Sequence, residues 1–298
     1  MNPPVSTAAP VLHCALDIRA SLGECPVWSA ADQVLYWVDI NAPSLNRFDP
    51  ATGSNRAMPM PASIGCFAAR QTGGFVVALR DGIWLARADG TLERKVATAP
   101  YDPAHHRFND GRCDPQGRLF AGTMNERRDA PSAALYRIDF DFRVTEVLGG
   151  MTISNGLAWS PDGRTMYHAD TPTLTINTFA YDASSGTPSA RRIFAHFEGE
   201  ADRPDGGVVD SEGCYWTAFY GGGRVVRLSP AGAVLADYAV PSMCPTMCAF
   251  GGADLRTLYV TTARQRRSDA ELARLPQSGG IFAMRVDVPG LPEPAFAG

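Results

Sequence analysis

The sequence predicts an all-β protein, specifically a six-bladed β-propeller of four-stranded antiparallel blades. The first observation is a repeat. Six segments along the 298 residues share one plan, in which a short apolar strand and a turn with Asp or Gly precede a strand rich in Val, Tyr, Trp and Phe. The second observation is the spacing of these segments, and the third is the lack of long amphipathic helical patterns. Together they favour a propeller over an all-β sandwich, which would not explain the repeat.

The repeat spacing is that of a propeller blade. In chain order the segments read "CPVWSAADQVLYWVDI", "GCFAARQTGGFVVALRDGIWL", "DGRCDPQGRLFAGTM", "NGLAWSPDGRTMYHADT", "DGGVVDSEGCYWTAFY" and "MCAFGGADLRTLYVTTAR". The first residues after their turns are Leu35, Phe75, Leu119, Met166, Tyr215 and Leu258. These reference residues lie 40, 44, 47, 49 and 43 residues apart. A period of about 40–50 residues is typical of a four-stranded blade.

Additional strands complete most of the units. Third strands are predicted at "SLNRFDP", "ALYRIDF", "INTFAYD", "RVVRLSP" and "GIFAMRV", which follow the first, third, fourth, fifth and sixth segments. A helical pattern at 269–275, "DAELARL", extends for two turns at most. We therefore expect a single propeller domain over residues 15–298 and a disordered N-terminal tail over residues 1–14.

Composition and charge exclude several classes of partner. The formal net charge is −4, and the densest basic cluster is "RQRR" at 264–267, so we expect no nucleic-acid partner. No apolar run approaches the about 18 residues that a membrane span needs, so we expect no membrane partner. The protein is expected to be a monomer or a weak homo-oligomer.

The cysteines and the N-terminal residues predict a cytoplasmic protein. The seven cysteines are odd in number and lack the paired spacings of a disulfide framework, so we interpret them as buried, reduced thiols. The opening "MNPPVSTAAP" has neither the basic nor the apolar region of an export signal. The single lysine, Lys95, lies in a polar stretch, so Schiff-base chemistry is not expected.

Four polar residues occupy one position of the repeat. The entry to each unit's first strand, 10 or 11 residues before the reference residue, carries an oxygen-bearing side chain in four units: Glu24, Asn109, Asn155 and Asp205. Because the innermost strands of a propeller surround its axis, equivalent entry positions form a ring at one mouth of the central channel. Two carboxylates and two amide carbonyls suit a hard divalent cation.

The alternative interpretation is turn chemistry. Asp and Asn before Gly are ordinary turn residues that hydrogen-bond to nearby backbone, and for any one of the last three residues alone this explanation would be preferred. Glu24, in "GECP", gains little from a carboxylate at the start of an apolar strand. The coincidence of four such residues at one phase of the repeat favours a metal site.

The motifs around these residues resemble those of the gluconolactonase/regucalcin family, which includes luciferin-regenerating enzyme. The resemblance extends from about residue 15 to the C-terminus and is looser in the second unit. The motifs that carry it are "LGECPVWSAADQVLYWVDI", "RFNDGRCDPQGRLFAGTM", "SNGLAWSPDGRTMYHADT", "RPDGGVVDSEGCYWTAFYGGGRVVRLSP", and "FGGADLRTLYVTTAR" with "GGIFAMRV". It implies a six-bladed propeller with one divalent cation on its axis.

The resemblance also implies roles for individual residues. The family's metal ligands match Glu24, Asn155 and Asp205, and the position of Asn109 contacts metal-bound water or substrate. The Arg of the family's R-x-N-D-G motif matches Arg107, a contact to substrate hydroxyls. An acidic residue shortly after "AGTM" touches the sugar in some members, and Glu126 lies near that point. Ca, Zn, Mn, Fe and Mg all remain open as the cation.

The expected function is metal-dependent hydrolysis of a sugar lactone, such as a glucono-, xylono- or arabinonolactone, to the aldonic acid. The cation would polarise the carbonyl, and Asp205 would assist the attacking water. The sequence contains no G-x-S-x-G, H-E-x-x-H or P-loop motif of a competing enzyme class. Two alternatives stay open: an aryl-ester or organophosphate hydrolase with the same site, and a non-catalytic calcium-binding propeller.

Overall fold

The computed structural model describes residues 11–298, and its regular structure is almost entirely strand. The strands form six four-stranded antiparallel sheets that are arranged as a six-bladed β-propeller. The predicted fold class is confirmed. Within this range there is one six-residue helix, α1 (Asp269–Arg274), and one 3-10 turn at Thr171–Thr173. The short helical pattern at 269–275 is therefore a single short helix in a loop.

Each of the first five blades uses four consecutive strands. Blade 1 is β2 (Gly23–Ser29), β3 (Val34–Asp39), β4 (Ser44–Asp49) and β5 (Ser54–Pro59). Blade 2 is β6 (Ile64–Ala69), β7 (Phe75–Leu79), β8 (Gly82–Ala86) and β9 (Leu92–Thr98). Blade 3 is β10 (His106–Cys113), β11 (Leu119–Asn125), β12 (Ala133–Ile138) and β13 (Val144–Met151). Blade 4 is β14 (Ser154–Trp159), β15 (Thr165–Asp170), β16 (Thr175–Asp182) and β17 (Thr187–His196). Blade 5 is β18 (Pro204–Val209), β19 (Tyr215–Phe219), β20 (Arg224–Leu228) and β21 (Val234–Ala239).

The sixth blade combines both ends of the described chain. It consists of β22 (Pro245–Gly251), β23 (Thr257–Thr262) and β24 (Ile281–Arg285), and its outermost strand is β1 (His13–Leu16). Strand β1 pairs antiparallel with β24 and supplies the fourth strand that the C-terminal segment lacks. Two residues of the predicted tail, His13 and Cys14, therefore belong to the propeller. Residues 1–10 of that predicted tail lie outside the described residues.

The inner strands of each blade are more buried than the outer ones. This difference explains which strands can be predicted from the sequence pattern. The first and second strands of each blade are buried on both faces and read as nearly continuous apolar runs, as in β7 and β19. The fourth strands, such as β9 and β21, are mostly exposed and carry mixed polar sequences. Because a propeller blade has core on both sides of its inner strands, apolar runs there predict strands without alternation.

Buried aspartates fix the turns that join the first two strands of blades 3 and 5. Asp210 is fully buried, and its two carboxylate oxygens accept hydrogen bonds from the backbone of Glu212 and Cys214, from Trp216 Nε1 and from Arg227. Asp114 occupies the same place in blade 3 and is likewise bound by backbone N–H groups and by Arg118. These carboxylates are fully satisfied, so their burial stabilises the turns.

The innermost strands of blades 2 and 3 approach most closely at Gly65. A Cβ atom at this position would lie 2.3 Å from the backbone carbon of Phe108 and 2.7 Å from the backbone nitrogen of Asn109. These neighbours are strand backbone and cannot move aside cheaply. The close approach therefore requires glycine beside the axis.

Replacing Gly65 with Ala is expected to destabilise the protein by about 1–3 kcal/mol, since overpacking against backbone forces the two strands apart. Thermal or denaturant unfolding measures the effect. Gly149→Ala is the matched control, because its added Cβ would meet the flexible end of the Glu146 side chain and not backbone. Equal stability of the two variants would contradict the packing explanation.

Within residues 11–298 no helix is long and apolar enough to span the hydrocarbon layer of a membrane. The cysteines of this range are all free thiols, and all except Cys14 are buried. The expectation of buried, reduced cysteines therefore holds for six of the seven.

Candidate functional site

The six innermost strands share a local irregularity where they begin. In each, the pairing register with the second strand shifts within two residues of the predicted ring position. The shifts lie between Glu24 and Val27, Ile64 and Cys66, Phe108 and Gly111, Asn155 and Ala158, Pro204 and Gly207, and Pro245 and Met247. A bulge bends a strand and re-aims a side chain. The repeat therefore places a strand irregularity beside the equivalent position of every blade.

Five of the six predicted site residues line one cavity of about 410 Å³ at this mouth: Glu24, Arg107, Asn109, Asn155 and Asp205. Residues up to 181 positions apart in the chain therefore meet in one place. The remaining lining residues are Leu22, Met124, Arg128, Thr152, Ile153, Thr171, Pro172, Arg203, Tyr220 and Gln265. The volume is within the range of about 300–1,000 Å³ that is usual for small-molecule sites.

The two carboxylates of the cavity lack a cationic partner. Glu24 is 8% exposed and Asp205 is 5% exposed, and neither forms an ion pair with any residue of the described chain. Burial raises the pKa of Glu24 well above its usual value, and repulsion by Asp205 and Asp110 adds to the shift. Burial and the charge of Asp110 likewise raise the pKa of Asp205. The charge of Arg107 opposes both shifts, but burial and repulsion outweigh it, so the floor of the cavity disfavours two ionised carboxylates unless a cation binds there.

A chain of hydrogen bonds orients the two amides. Asn109 Nδ2 donates to Asn155 Oδ1 at 2.8 Å, and Asn155 Nδ2 donates to Thr171 Oγ1 at 2.7 Å. The Thr171 hydroxyl then donates to the carbonyl of Pro204, the residue before Asp205. Blades 3, 4 and 5 are linked by this chain. It leaves one lone pair of Asn155 Oδ1 without a hydrogen bond from the described residues.

Arg107 lies between the ring and the rim. Its Nη1 donates to Asn109 Oδ1 at 2.8 Å and to the carbonyl of Phe108 at 2.9 Å. Burial lowers the pKa of Arg107 to about 10, which keeps the guanidinium charged at neutral pH. The same side chain lies 3.7 Å from Glu126 Oε1. Arg107 therefore orients Asn109, and the carboxylate of Glu126 lies near its guanidinium.

Glu126 is not among the residues that line the cavity. Its carboxylate accepts two hydrogen bonds from Arg80, at 2.8 and 2.9 Å. These bonds account for most of the lowering of its pKa. The structure thus places Glu126 beside Arg107 and Arg80, outside the residues that line the cavity.

The donor set fits a divalent cation by charge and by chemistry. Glu24 and Asp205 would offset the charge of the ion, and Asn155 Oδ1 has a free lone pair. Oxygen ligands of this kind suit Ca²⁺, Mg²⁺ and Mn²⁺, and borderline ions also accept them. Over residues 11–298 no group of three or more His, Cys, Asp and Glu side chains could hold a metal ion. Any cation here would therefore depend on the amide as well as on the two carboxylates.

Two further aspartates, which were not predicted from the sequence, position the strands that carry Glu24 and Asn155. Asp39 accepts hydrogen bonds from the backbone N–H groups of Ser21 and Leu22, just before Glu24. Asp170 binds the N–H groups of Thr152 and Ile153 in the same way, just before Asn155. Both lie four residues after a reference residue of the repeat, in "WVDI" and "HADT", so the repeat contained a signal for them.

The histidines lie outside the cavity. His168 is buried beneath the ring, where its Nε2 is 2.8 Å from Ser154 Oγ, and burial lowers its pKa to about 4. It is therefore neutral at pH 7 and supports the strand that carries Asn155. His106 bonds to Ser132, and His105 lies 3.9 Å from Asp102. Neither of the adjacent loop histidines lines the cavity.

The chain matches the family model described as "SMP-30/Gluconolactonase/LRE-like region" over residues 22–264 and therefore belongs to this family. It is 49% identical to 6-deoxy-6-sulfogluconolactonase of Pseudomonas putida over 96% of this chain and 99% of that protein. It is 37% identical to regucalcin of Oryctolagus cuniculus over 96% and 98% of the two chains. A solved structure of regucalcin from Agrobacterium tumefaciens, titled a calcium-binding protein, superposes with a TM-score of 0.91 at 30% identity, covering 97% of each chain. The resemblance inferred from the motifs is confirmed.

A divalent cation is expected to stabilise the metal-stripped protein, since it would bind the folded ring and not the unfolded chain. At about 100 times its dissociation constant, a ligand of this kind adds about 2.7 kcal/mol to the free energy of unfolding. Thermal unfolding after treatment with a chelator and addition of each ion measures the shift. The shift should be lost in Glu24→Gln and kept in Asp162→Asn, an exposed turn residue. An equal shift in both variants would place the cation elsewhere.

Asp205→Asn is expected to stabilise the metal-free protein by about 1 kcal/mol at pH 8, because it removes a buried charge that has no partner. A raised pKa in the folded state means that ionisation opposes folding as the pH rises through that pKa. The gain should therefore be larger at pH 8 than at pH 5. Denaturant unfolding in the presence of EDTA measures it.

The matched control for this prediction is Asp210→Asn in the same strand-turn unit. Asp210 is equally buried, but its carboxylate binds Arg227 and backbone N–H groups, so this change should destabilise the protein by about 3 kcal/mol. A loss of stability in Asp205→Asn comparable to that in the control would show that Asp205 is satisfied in the folded state.

Proposed function

We propose that the protein is an enzyme that hydrolyses a sugar lactone to its aldonic acid, with one divalent cation held by Glu24, Asn155 and Asp205. The observation that carries this proposal is the pair of buried carboxylates without a counter-charge, which faces a cavity large enough for a sugar ring. Such an arrangement is costly for stability alone, so a ligand of opposite charge is its simplest explanation.

The relatives support the same reaction class. One relative is named 6-deoxy-6-sulfogluconolactonase, and the family name includes gluconolactonase. A sugar lactone is common to these names. Regucalcin of Agrobacterium tumefaciens is titled a calcium-binding protein, which is consistent with an oxygen-ligated cation in this family.

The reaction opens a cyclic ester. The oxygen of a water molecule attacks the carbonyl carbon, the bond from this carbon to the ring oxygen breaks, and the products are a carboxylic acid and a free hydroxyl on the same chain. A divalent cation, when bound, supplies polarisation of the carbonyl and stabilises the negative charge that develops on its oxygen. The residues of the chain must orient the lactone and move one proton from the water to the leaving ring oxygen.

Asp205 is the group we assign to this proton transfer. Its carboxylate faces the cavity, and within the described chain it forms no ion pair. Burial and the charge of Asp110 raise its pKa in the metal-free protein, and a bound cation would lower it again, so the assignment rests on the place of Asp205 in the cavity beside the proposed cation. It accepts the proton from the attacking water and returns it to the ring oxygen as the ester bond breaks.

Arg107 and Asn109 are assigned to substrate hydroxyls. Arg107 has N–H groups that are not used in its bonds to Phe108 and Asn109, and its Nε lies 3.7 Å from Glu126 Oε1. The Asn109 amide is fixed by its bonds to Ser154 and Asn155, which use both of its N–H groups, so it can accept from a substrate hydroxyl only through Oδ1. Groups that are already oriented lose little entropy when they bind a polyol, so they position the carbonyl for attack.

The test is hydrolysis of a panel of aldono-lactones by metal-stripped protein that is reconstituted with single ions. Acid release is followed with a pH indicator and corrected for spontaneous ring opening. We expect activity that depends on an added divalent ion and is abolished by EDTA. Asp205→Asn should lower kcat by about 100-fold or more, the usual contribution of a general base. Glu24→Gln should instead raise the ion concentration needed for half-maximal activity.

Asp162→Asn, remote from the cavity, is the control variant and should retain full activity. Undiminished lactone turnover by Asp205→Asn would overturn the assigned base. Hydrolysis of phenyl acetate or an aryl phosphate triester without any lactone turnover would replace the proposal by an esterase or phosphotriesterase. Tight binding of an ion without turnover of any substrate in the panel would identify a cation-binding protein.

A further inference from the structure

Two arginines of the cavity have no partner. Arg128 and Arg203 both line it, and neither guanidinium forms an ion pair or a hydrogen bond with any residue between 11 and 298. Among the arginines nearby, Arg80 is bound by Glu126, Arg224 by Asp202 and Asp237, and Arg267 by Glu271, whereas Arg127, Arg264 and Arg266 also lack an ion pair within the described chain but do not line the cavity. The two unpaired guanidiniums therefore face the space where a substrate would lie.

The loop that carries Arg128 is held in one shape by Asn125. Its Oδ1 accepts from the backbone N–H of Arg127, and its Nδ2 donates to Asp129 Oδ1 at 2.8 Å and to the carbonyl of Ala130 at 3.0 Å. Within this loop Arg128 adopts a left-handed backbone conformation with φ of 56°. This conformation is unfavourable for a residue with a side chain, and such residues concentrate at ligand sites.

The backbone of Arg203 is fixed by its neighbours. Its carbonyl accepts a hydrogen bond from the N–H of Tyr220 at 3.0 Å, and the carbonyl of the following Pro204 accepts from Thr171. A residue before proline is restricted to extended conformations. Arg203 is half-buried and lies two residues from Asp205, so its position is tied to that of the proposed base.

The charge balance of the cavity points to an anionic substrate. A divalent cation would offset Glu24 and Asp205, and Glu126 is shared between Arg80 and Arg107. The exposed Arg128, whose charge lowers the pKa of Asp205, and the half-buried Arg203 then remain at the mouth of the cavity without an ion-pair partner among the described residues. A neutral polyol would need hydrogen-bond donors there but not two full positive charges. An oxyanion group presents several acceptor oxygens that guanidinium N–H groups bind well.

Resting on the proposed function, we propose that the substrate is a sugar lactone with an anionic substituent, and that Arg128 and Arg203 bind this substituent. Sulfonate and phosphate share the required chemistry: a tetrahedral group with three terminal oxygens and negative charge. The two arginines are specificity residues, since neither is assigned to the proton transfer.

The experiment compares glucono-1,5-lactone with its 6-phosphate and with the 6-deoxy-6-sulfonate, using protein loaded with the most active ion. The readout is the ratio of kcat/KM for each anionic lactone to that for the neutral one. In the wild type this ratio should be about 10 or more, the usual effect of charge-assisted hydrogen bonds. It should fall as ionic strength increases from 0.05 to about 0.5 M. The two anionic lactones distinguish the two sources of the charge.

Arg128→Gln with Arg203→Gln should lower the ratio by about 10- to 100-fold, chiefly through KM for the anionic lactone. Arg128→Lys with Arg203→Lys keeps the charge and should lower it less. Arg127→Gln is the control, because Arg127 is exposed and does not line the cavity, and it should leave the ratio unchanged.

The outcomes separate this proposal from the one on which it rests. Neutral lactone turnover with a wild-type ratio of one or less would overturn the anionic substituent and leave the lactonase proposal intact. An equal loss on neutral and anionic lactones in the double Gln variant would assign the arginines to the carboxylate formed by ring opening, and this would also overturn the proposal. Turnover of none of the three lactones would contradict the proposed function itself.

Discussion

The rest of the site depends on one constraint: the carboxylates of Glu24 and Asp205 are buried in the same cavity and neither has an ion-pair partner in the part of the chain that the structure describes. The propeller brings both carboxylates into one buried mouth, where desolvation and mutual repulsion oppose their ionisation. Elsewhere in the same fold, buried aspartates such as Asp39 and Asp210 are surrounded by N–H donors. Buried carboxylates thus have two roles in this fold, and their hydrogen bonding distinguishes the two. A carboxylate that accepts hydrogen bonds from N–H groups stabilises a turn, and one without such donors remains available to bind a ligand.

The surrounding residues preserve this electrostatic situation without cancelling it. The hydrogen-bond chain through Asn109, Asn155 and Thr171 fixes both amides but donates nothing to the two carboxylates. Arg107, the nearest buried cation, donates its hydrogen bonds to Phe108 and Asn109. The site is therefore preorganised, because its groups are held in place by bonds that a ligand does not have to break.

Much of this could be predicted from the sequence, because a repeat converts positions in the chain into positions in space. Equal distances from the reference residues predicted that Glu24 and Asp205 would share one cavity. Loops carry no such information, since their shapes depend on individual side-chain bonds. Glu126 lies on a loop, and its place beside Arg107 is set by a bond to Arg80 that no pattern indicated. Arg203 was missed for the same reason.

The pairing of β1 with β24 has a consequence for how the protein is made. In blades 1 to 5 every strand pairs with strands next to it in the chain, so each blade can form as soon as it leaves the ribosome. The sixth blade forms only when His13–Leu16 pairs with Ile281–Arg285, and the first of these strands is synthesised long before the second. Until that meeting, the outer edge of β24 has no partner strand. The nascent chain therefore spends most of its synthesis as an incomplete ring, and an unpaired strand edge is a template for pairing with another copy.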